Sequence, residues 1–450
     1  MMMQASDLLD DKPVAGTPLS AWLTLAVLLL FYLVSCIDKQ MIALAIDPMG
    51  RSLGLQDSEL GLLVGAAFGV PYTLTVLAAG WLLDRYSKRA ILLFAVAIWS
   101  LAAMATGLAH SFGQLVLARA IVGIGEGFLP PASLALIAAV FPRHRVAMAT
   151  SIFFAGANIG VMVALSLGGQ VIEWLTAQGG AIFPLFGHLA PWRAAFFLTA
   201  LPGLPLAFLA LLIDREASRS AVEESDSDEA GQQIGYAVFF RSRLRLILCH
   251  SLAFGMISSG CLAVMLWSPA YLERNFGWAS GRVGLVLALG SGCGAMASIL
   301  WGAMSDRLMR KGRSDAPYIV YPVILAVCVP ITILAYTFAE ASTFLIPYLL
   351  ASMLLLGCGG ITSAMQLSTP PQFRARILGL QTMSAGIFGL ALVPVLVPSL
   401  AQYMFRDRLA IGHSISIVVL ITVLIAILLL ISTRGALRDA VTALEDKDGR

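Results

Sequence analysis

Gly80-Trp81-Leu82-Leu83-Asp84-Arg85-Tyr86-Ser87-Lys88-Arg89 closes one apolar run, and Gly302-Ala303-Met304-Ser305-Asp306-Arg307-Leu308-Met309-Arg310-Lys311 closes another in the second half of the chain. The same offset separates the two glycines, the two aspartates and the two arginines, so the chain carries an internal repeat with one copy in each half. A second echo follows. Pro142-Arg143-His144-Arg145 opens the fifth apolar run and Pro371-Gln372-Phe373-Arg374 the eleventh.

Outward from these loops the sequence is apolar. It is 59% hydrophobic and 12% charged over 450 residues, against about 25% charged in a soluble domain. Runs of about 20 residues, the length that crosses a hydrocarbon core, occur twelve times: 20–46, 59–83, 89–109, 114–140, 146–172, 193–213, 245–271, 281–305, 317–338, 343–366, 375–400 and 411–433. The reading is an all-α membrane protein of twelve transmembrane helices in two pseudo-symmetric six-helix bundles. Its parts are an N-terminal tail at 1–19, a first bundle at 20–213, a linker at 214–244, a second bundle at 245–433 and a C-terminal tail at 434–450. Glu223, Glu224, Asp226, Asp228 and Glu229 mark the linker as a solvated connection.

Most Lys and Arg residues fall in alternate connections, among them Arg85, Lys88 and Arg89, and Arg307, Arg310, Lys311 and Arg313. The opposite side holds only Arg51, Arg193, Arg274, Arg282, Arg406 and Arg408. This bias predicts both termini in the cytoplasm. The polar, acidic residues 1–19 lack the basic leader of a secretory signal, so the first run is expected to remain as a span. The two asparagines, Asn158 and Asn275, begin no glycosylation sequon, which with the short loops points to a bacterial inner membrane. Six cysteines lie in or beside apolar runs, and five histidines are scattered without ligand spacing. A metal site, a cofactor and an enzymatic constellation are not expected. Nor is nucleic-acid binding, since no basic stripe interleaves with aromatics.

The duplicated Gly-x-x-x-Asp-Arg-x-x-basic-basic loop, set after spans 2 and 8, resembles the major facilitator superfamily. The resemblance implies transport by alternating access, with Gly80, Asp84, Arg85, Arg89, Gly302, Asp306 and Arg307 as gating elements. In physical terms the glycines allow close helix approach. The aspartates suit the N-termini of helices 11 and 5 of the facing bundles, a contact that the resemblance assigns to closing the cytoplasmic side. Over residues 31–165 the chain is similar to spinster-like transporters. The matching segments are Asp38-Lys39, Leu60-Gly61-Leu62-Leu63, Phe112-x-Gln114-Leu115-x-Leu117-Ala118-Arg119, Gly123-x-Gly125-Glu126 and Phe141-Pro142-Arg143. Where spinster relatives read Asn-Tyr-x-Asp-Arg, this chain has Ser35-Cys36-Ile37-Asp38-Lys39, which changes the geometry of the cation. Gly156-x-x-x-Gly160 is followed by Val161 where an antiporter signature has proline.

Only Asp38, Lys39, Arg119 and Glu126 are charged well inside these spans. Each costs roughly 2.5 to 3.5 kcal/mol near the bilayer centre, so they are expected to pair or to face water. At a rise of about 1.5 Å per residue, Asp38 and Arg119 reach similar depths and can meet, with Glu126 two turns further along the Arg119 face. The expected roles are proton carriers for Asp38 and Glu126, and partners that exchange between them for Arg119 and Lys39. The rival reading is a static ion-pair network that fixes helix 1 against helix 4.

By resemblance, helices 1, 4, 7 and 10 line the cavity. They bring Tyr32, Ser35, Phe128, Met256, Met265, Trp267, Met353, Met365 and Gln366, while helices 5 and 11 add Phe153, Phe154, Asn158, Thr382 and Met383. This methionine-rich, uncharged C-terminal wall suits a small amphipathic substrate. The family resemblance implies a lysophospholipid or sphingoid molecule; proton coupling is expected from the embedded carboxylates, and the fold commonly works as a monomer among membrane lipids. The alternatives are a proton-coupled transporter of small organic anions or drugs, and a membrane sensor without flux.

Overall fold

The computed structural model describes residues 19–213, 238–370 and 373–445, which leaves out most of the linker; within these ranges the side chains of Asp84, Arg143, His144, Ala147, Ala157, Asn158, Ala375, Leu444 and Glu445 lie outside the described set. Twelve helices are long and apolar enough to span a membrane: α1 Leu19–Leu53, α2 Asp57–Leu83, α3 Lys88–Leu108, α4 Phe112–Val140, α5 Met148–Ala177, α6 Pro191–Leu212, α7 Leu244–Phe276, α8 Ser280–Met309, α9 Pro317–Phe338, α10 Leu345–Leu367, α11 Arg376–Phe405 and α12 Arg408–Ser432. Each overlaps its expected run, and most extend past it, because a helix continues beyond the hydrocarbon core until a breaker stops it. Gly277 ends α7 in the left-handed conformation that glycine adopts without strain.

Four elements fall outside the expected pattern. Between α5 and α6 the strands β1 Ala181–Phe183 and β2 Gly187–Leu189 pair antiparallel. Part of the expected linker is helical, at residues 238–242. Residues 434–445, expected as tail, form a helix, α13 Arg434–Glu445. It buries Leu437, Ala440 and Val441 in the main apolar core, a stripe at helical spacing that satisfies its amphipathic face.

Several spans are interrupted. In α2 the run breaks at Gly65, and α4 breaks at Phe128, two residues before the Pro130-Pro131 pair. Neither proline can donate to the preceding turn, so α4 restarts just beyond Glu126.

The halves meet chiefly through α5 against α8 and α2 against α11. Their closest approaches cluster at one end, here termed the loop face because it carries the α1–α2 connection. A Cβ on Gly61 would fall 2.2 Å from the Pro394 carbonyl oxygen, and one on Gly169 would fall 2.3 Å from that of Ser280. At the opposite end, the terminal face, the two glycines of the repeated motif behave otherwise than expected. A Cβ on Gly80 or Gly302 would meet nothing within 4 Å. They do not serve close helix approach in this state, because the halves stand apart at that end. Asp306 is exposed, with no hydrogen bond or ion pair to the α5 end among the described residues. The molecule is closed on the loop face and open on the terminal face.

Candidate functional site: a buried charge cluster beneath a latched face

Ser35 and Lys39 stand one turn apart on α1, so both reach the same point on α4. Lys39 Nζ lies 2.7 Å from Glu126 Oε2, and Ser35 Oγ donates to that oxygen at 2.8 Å. Lys39 also donates to Ser35 Oγ at 2.9 Å, which closes a three-membered ring of polar contacts. Aromatic faces surround the ammonium: its Nζ is 5.3 Å from the Tyr72 ring centroid and 5.9 Å from those of Tyr32 and Phe68. Phe68 carries Arg119 on the same ring, the guanidinium carbon 4.9 Å from its centroid. Such cation–π contacts strengthen where water is excluded.

The sequence Gly123-Ile124-Gly125-Glu126-Gly127 makes this geometry possible. A Cβ on Gly123 would sit 2.5 Å from the Phe68 carbonyl oxygen of α2, and one on Gly125 2.8 Å from Trp99 Cβ of α3. The glycines let α4 sink between two neighbours and carry Glu126 with it.

Glu126 is 0% exposed, Arg119 2% and Asp38 1%, whereas the Lys39 side chain is 29% exposed. Lys39 is thus the member of the cluster that reaches open space. Neither carboxylate oxygen of Asp38 has a hydrogen-bond partner, and Glu126 Oε1 and Arg119 Nε are also unpartnered. The equal-depth argument allowed Asp38 to meet Arg119, but no ion pair joins them among the described residues. The formed pair is Lys39 with Glu126, because the contact to Ser35 draws both onto one face of α1.

Two adjoining cavities lie between the halves. One, of about 750 Å³, is walled by Phe154, Met265, Ser298, Leu356 and Gln366 among others. The other, of about 380 Å³, is walled by Tyr72, Thr73, Phe254, Leu356 and Thr382 among others. They share Cys261, Leu356 and Gly359 and have no charged side chain in their walls. Of the expected cavity residues, Met265, Gln366, Thr382 and Phe154 line this space. Phe153, Trp267 and Met365 are fully buried, Met256 is nearly so, and Phe153 packs edge-on against Tyr32. Met353, Met383 and Phe128 are half-buried without lining either cavity.

The loop face holds a second charge cluster that sequence reasoning missed. Arg274, at the end of α7, points its guanidinium at two carboxylates of the other half. Its Nε donates to Asp47 Oδ1 at 2.8 Å, and its Nη1 and Nη2 donate to Asp57 Oδ2 and Oδ1 at 2.9 and 3.0 Å. Arg408 donates to Asp57 from the opposite side, Nε to Oδ2 at 3.0 Å. Beside this clamp, Gln402 Nε2 donates to Gln56 Oε1 at 3.0 Å, and Glu173 Oε2 accepts from the Gly281 N–H at the start of α8 at 2.9 Å. Every one of these contacts joins the two halves. The available signal was Asp47 itself, an acid inside the apolar stretch that continues to Leu53. Ending the first span at residue 46 placed it outside the membrane.

The sequence profile of the Major Facilitator Superfamily matches residues 28–394. Among curated proteins, a probable galactarate/D-glucarate transporter of Escherichia coli is 23% identical over 380 residues, covering 78% of this chain and 79% of the relative. A probable sulfoacetate transporter of Cupriavidus necator is 26% identical over 300 residues, covering 64% of this chain and 65% of the relative. Among solved structures, a bacterial homolog of the human lysosomal transporter Spinster, in an inward-facing and unoccupied conformation, superposes with a TM-score of 0.75 at 18% identity, over 95% of this chain and 98% of that one. With its twelve apolar spans, the protein is a multi-pass membrane protein and a secondary transporter rather than an enzyme, and it belongs to the Major Facilitator Superfamily.

Proposed function

We propose that the chain couples protons to the movement of an amphipathic organic anion, with Lys39 as the anion-binding group and Glu126 and Asp38 as proton carriers. The observation that carries this reading is the position of Lys39. Its side chain is 29% exposed while its ammonium is held by the buried Glu126, so Glu126 and an incoming anion compete for it. Protonating Glu126 removes the carboxylate that holds the ammonium and frees Lys39 for an anionic head. An arriving anion, in turn, displaces Glu126 and favours its protonation. Linkage makes these two effects equal in size. Arg119, on the far side of Phe68, is the cation left to stabilise Asp38 when Lys39 turns away.

The uncharged walls of the cavities suit the body of the solute. The names of the relatives favour small organic acids. A lysolipid-like anion remains a second reading, supported by the combined size and apolar lining of the two cavities. The charge bias of the loops supports the terminal face as cytoplasmic in a bacterial inner membrane, which makes this state inward-open. The fold functions within one chain, and a monomer is proposed.

The test is uptake into proteoliposomes of D-glucarate, sulfoacetate, 4-methylmuconolactone and lysophosphatidylglycerol, each with and without a pH gradient that is acid outside. A member of the panel accumulates in response to the gradient, and Lys39→Gln abolishes its binding. Binding without flux would instead identify a sensor. Accumulation that is indifferent to the gradient in the wild type refutes proton coupling.

A further inference from the structure

On the terminal face, away from the transport cavity, Arg241, Arg243 and Arg245 wall a cavity of about 560 Å³ between the start of α7 and α13. We propose that this cavity binds the phosphate of an anionic phospholipid. Asp439 is the single acid in its wall, and none of the three arginines forms an ion pair among the described residues. Two of them each donate one hydrogen bond to a backbone carbonyl, and the Arg243 guanidinium also lies over the Phe239 ring, 5.3 Å from its centroid. Arg243 donates to the Ser368 oxygen at the end of α10, and Arg245 Nη2 donates to that of Ser432 at the end of α12 at 3.3 Å. Each guanidinium keeps further N–H groups for a ligand, in the fork geometry that suits phosphate oxygens.

Three cations also stand at the positive end of the α7 dipole with no acid in the first turn, a local repulsion that a bound anion relieves. Leu244 and Leu248, one turn apart on α7, are both exposed and present an apolar track for acyl chains directly below the basic cavity. That track distinguishes a lipid from a free anion. Because Arg243 and Arg245 join α7 to α10 and α12, an occupied site braces the terminal end of the second bundle.

Native mass spectrometry of the full chain, with phosphatidylglycerol or phosphatidylcholine of matched chain length added, tests this. The wild type should retain phosphatidylglycerol preferentially. Each arginine contributes about a fivefold preference near an anionic headgroup, so Arg241→Gln with Arg245→Gln should lower retention about 25-fold, while Arg406→Gln on the loop face leaves it intact. Melting temperature in detergent monitors folding; phosphatidylglycerol should raise it in the wild type and not in the double variant. Equal retention by both proteins overturns the proposal, as does displacement of the lipid by millimolar inorganic phosphate. A third refuting result is an arginine effect that persists in phosphatidylcholine and vanishes when Glu223, Glu224, Asp226, Asp228 and Glu229 are neutralised. It would identify the chain's own linker as the occupant.

Discussion

Replacing Arg274 with alanine should release the loop face. Its side chain is 9% exposed, that of Asp47 7% and that of Asp57 3%, so the change strands two carboxylates in a poorly hydrated place. Removing one partner of a buried pair costs about 3 to 5 kcal/mol. Arg408 remains on Asp57, but it is 59% exposed and offsets at most about 1 kcal/mol. Separation of the halves restores water to Asp47 and Asp57, so the loss falls on the closed state. After that offset the lower bound is about 2 kcal/mol, which shifts the equilibrium roughly 30-fold, enough to bring a loop-face-open population of about 1% to about one quarter. Spin labels at Arg51 and Tyr403, which are exposed on the loop-face ends of α1 and α11, report the change by double electron–electron resonance. A long-distance population should appear in Arg274→Ala and be smaller in Arg274→Lys, which keeps the charge but not the fork. Distance distributions identical to those of the wild type would refute the clamp as a latch.

Further outcomes follow from the same geometry. Glu126→Gln should retain the solute with equal or higher affinity, because Lys39 loses its competitor, yet lose the response of uptake to a pH gradient; parallel binding and flux assays separate the two. Gly61→Val should block closure of the loop face, since its Cβ would meet the Pro394 carbonyl at 2.2 Å, and transport should fall at least tenfold while helix content by circular dichroism is preserved. Gly80→Ala meets nothing in this state, and its thermal stability should stay within about 0.5 kcal/mol of wild type. Gln56→Cys with Gln402→Cys should be joined by a short bis-methanethiosulfonate reagent, whose spacer replaces the lost side-chain length, and the cross-link should arrest transport until it is reduced, because the glutamine tips meet across the halves.

The twelve spans and the two halves were legible because hydrophobic length and duplicated loops are properties of the chain itself. The four charged residues of α1 and α4 were legible for a related reason, since charge inside an apolar run is costly wherever the helices lie. Their pairing was not. Depth along two helices leaves rotation free, and it was the one-turn spacing of Ser35 and Lys39 together with the glycines around Glu126 that selected Lys39–Glu126 over Asp38–Arg119. Burial of Phe153, Trp267 and Met365 was hidden for the same reason, since helices apolar on every side give no periodic signal of which face meets the cavity. Gly80 and Gly302 were read as contact points, but their role depends on which end of the molecule is closed, a property of state rather than sequence. Arg274, Asp47, Asp57 and Arg408 escaped because they lie at helix ends, where a few residues of boundary error decide whether a charge counts as buried.

The competition between Glu126 and the transported anion for Lys39 is tested most directly by proton uptake on anion binding. The purified protein, in weakly buffered detergent solution with a pH indicator, is titrated with the anion identified by the uptake panel. Binding should withdraw protons from solution in the wild type and withdraw few or none in Glu126→Gln, which still binds. Binding that leaves the pH unchanged in the wild type, or that releases protons, would contradict the account.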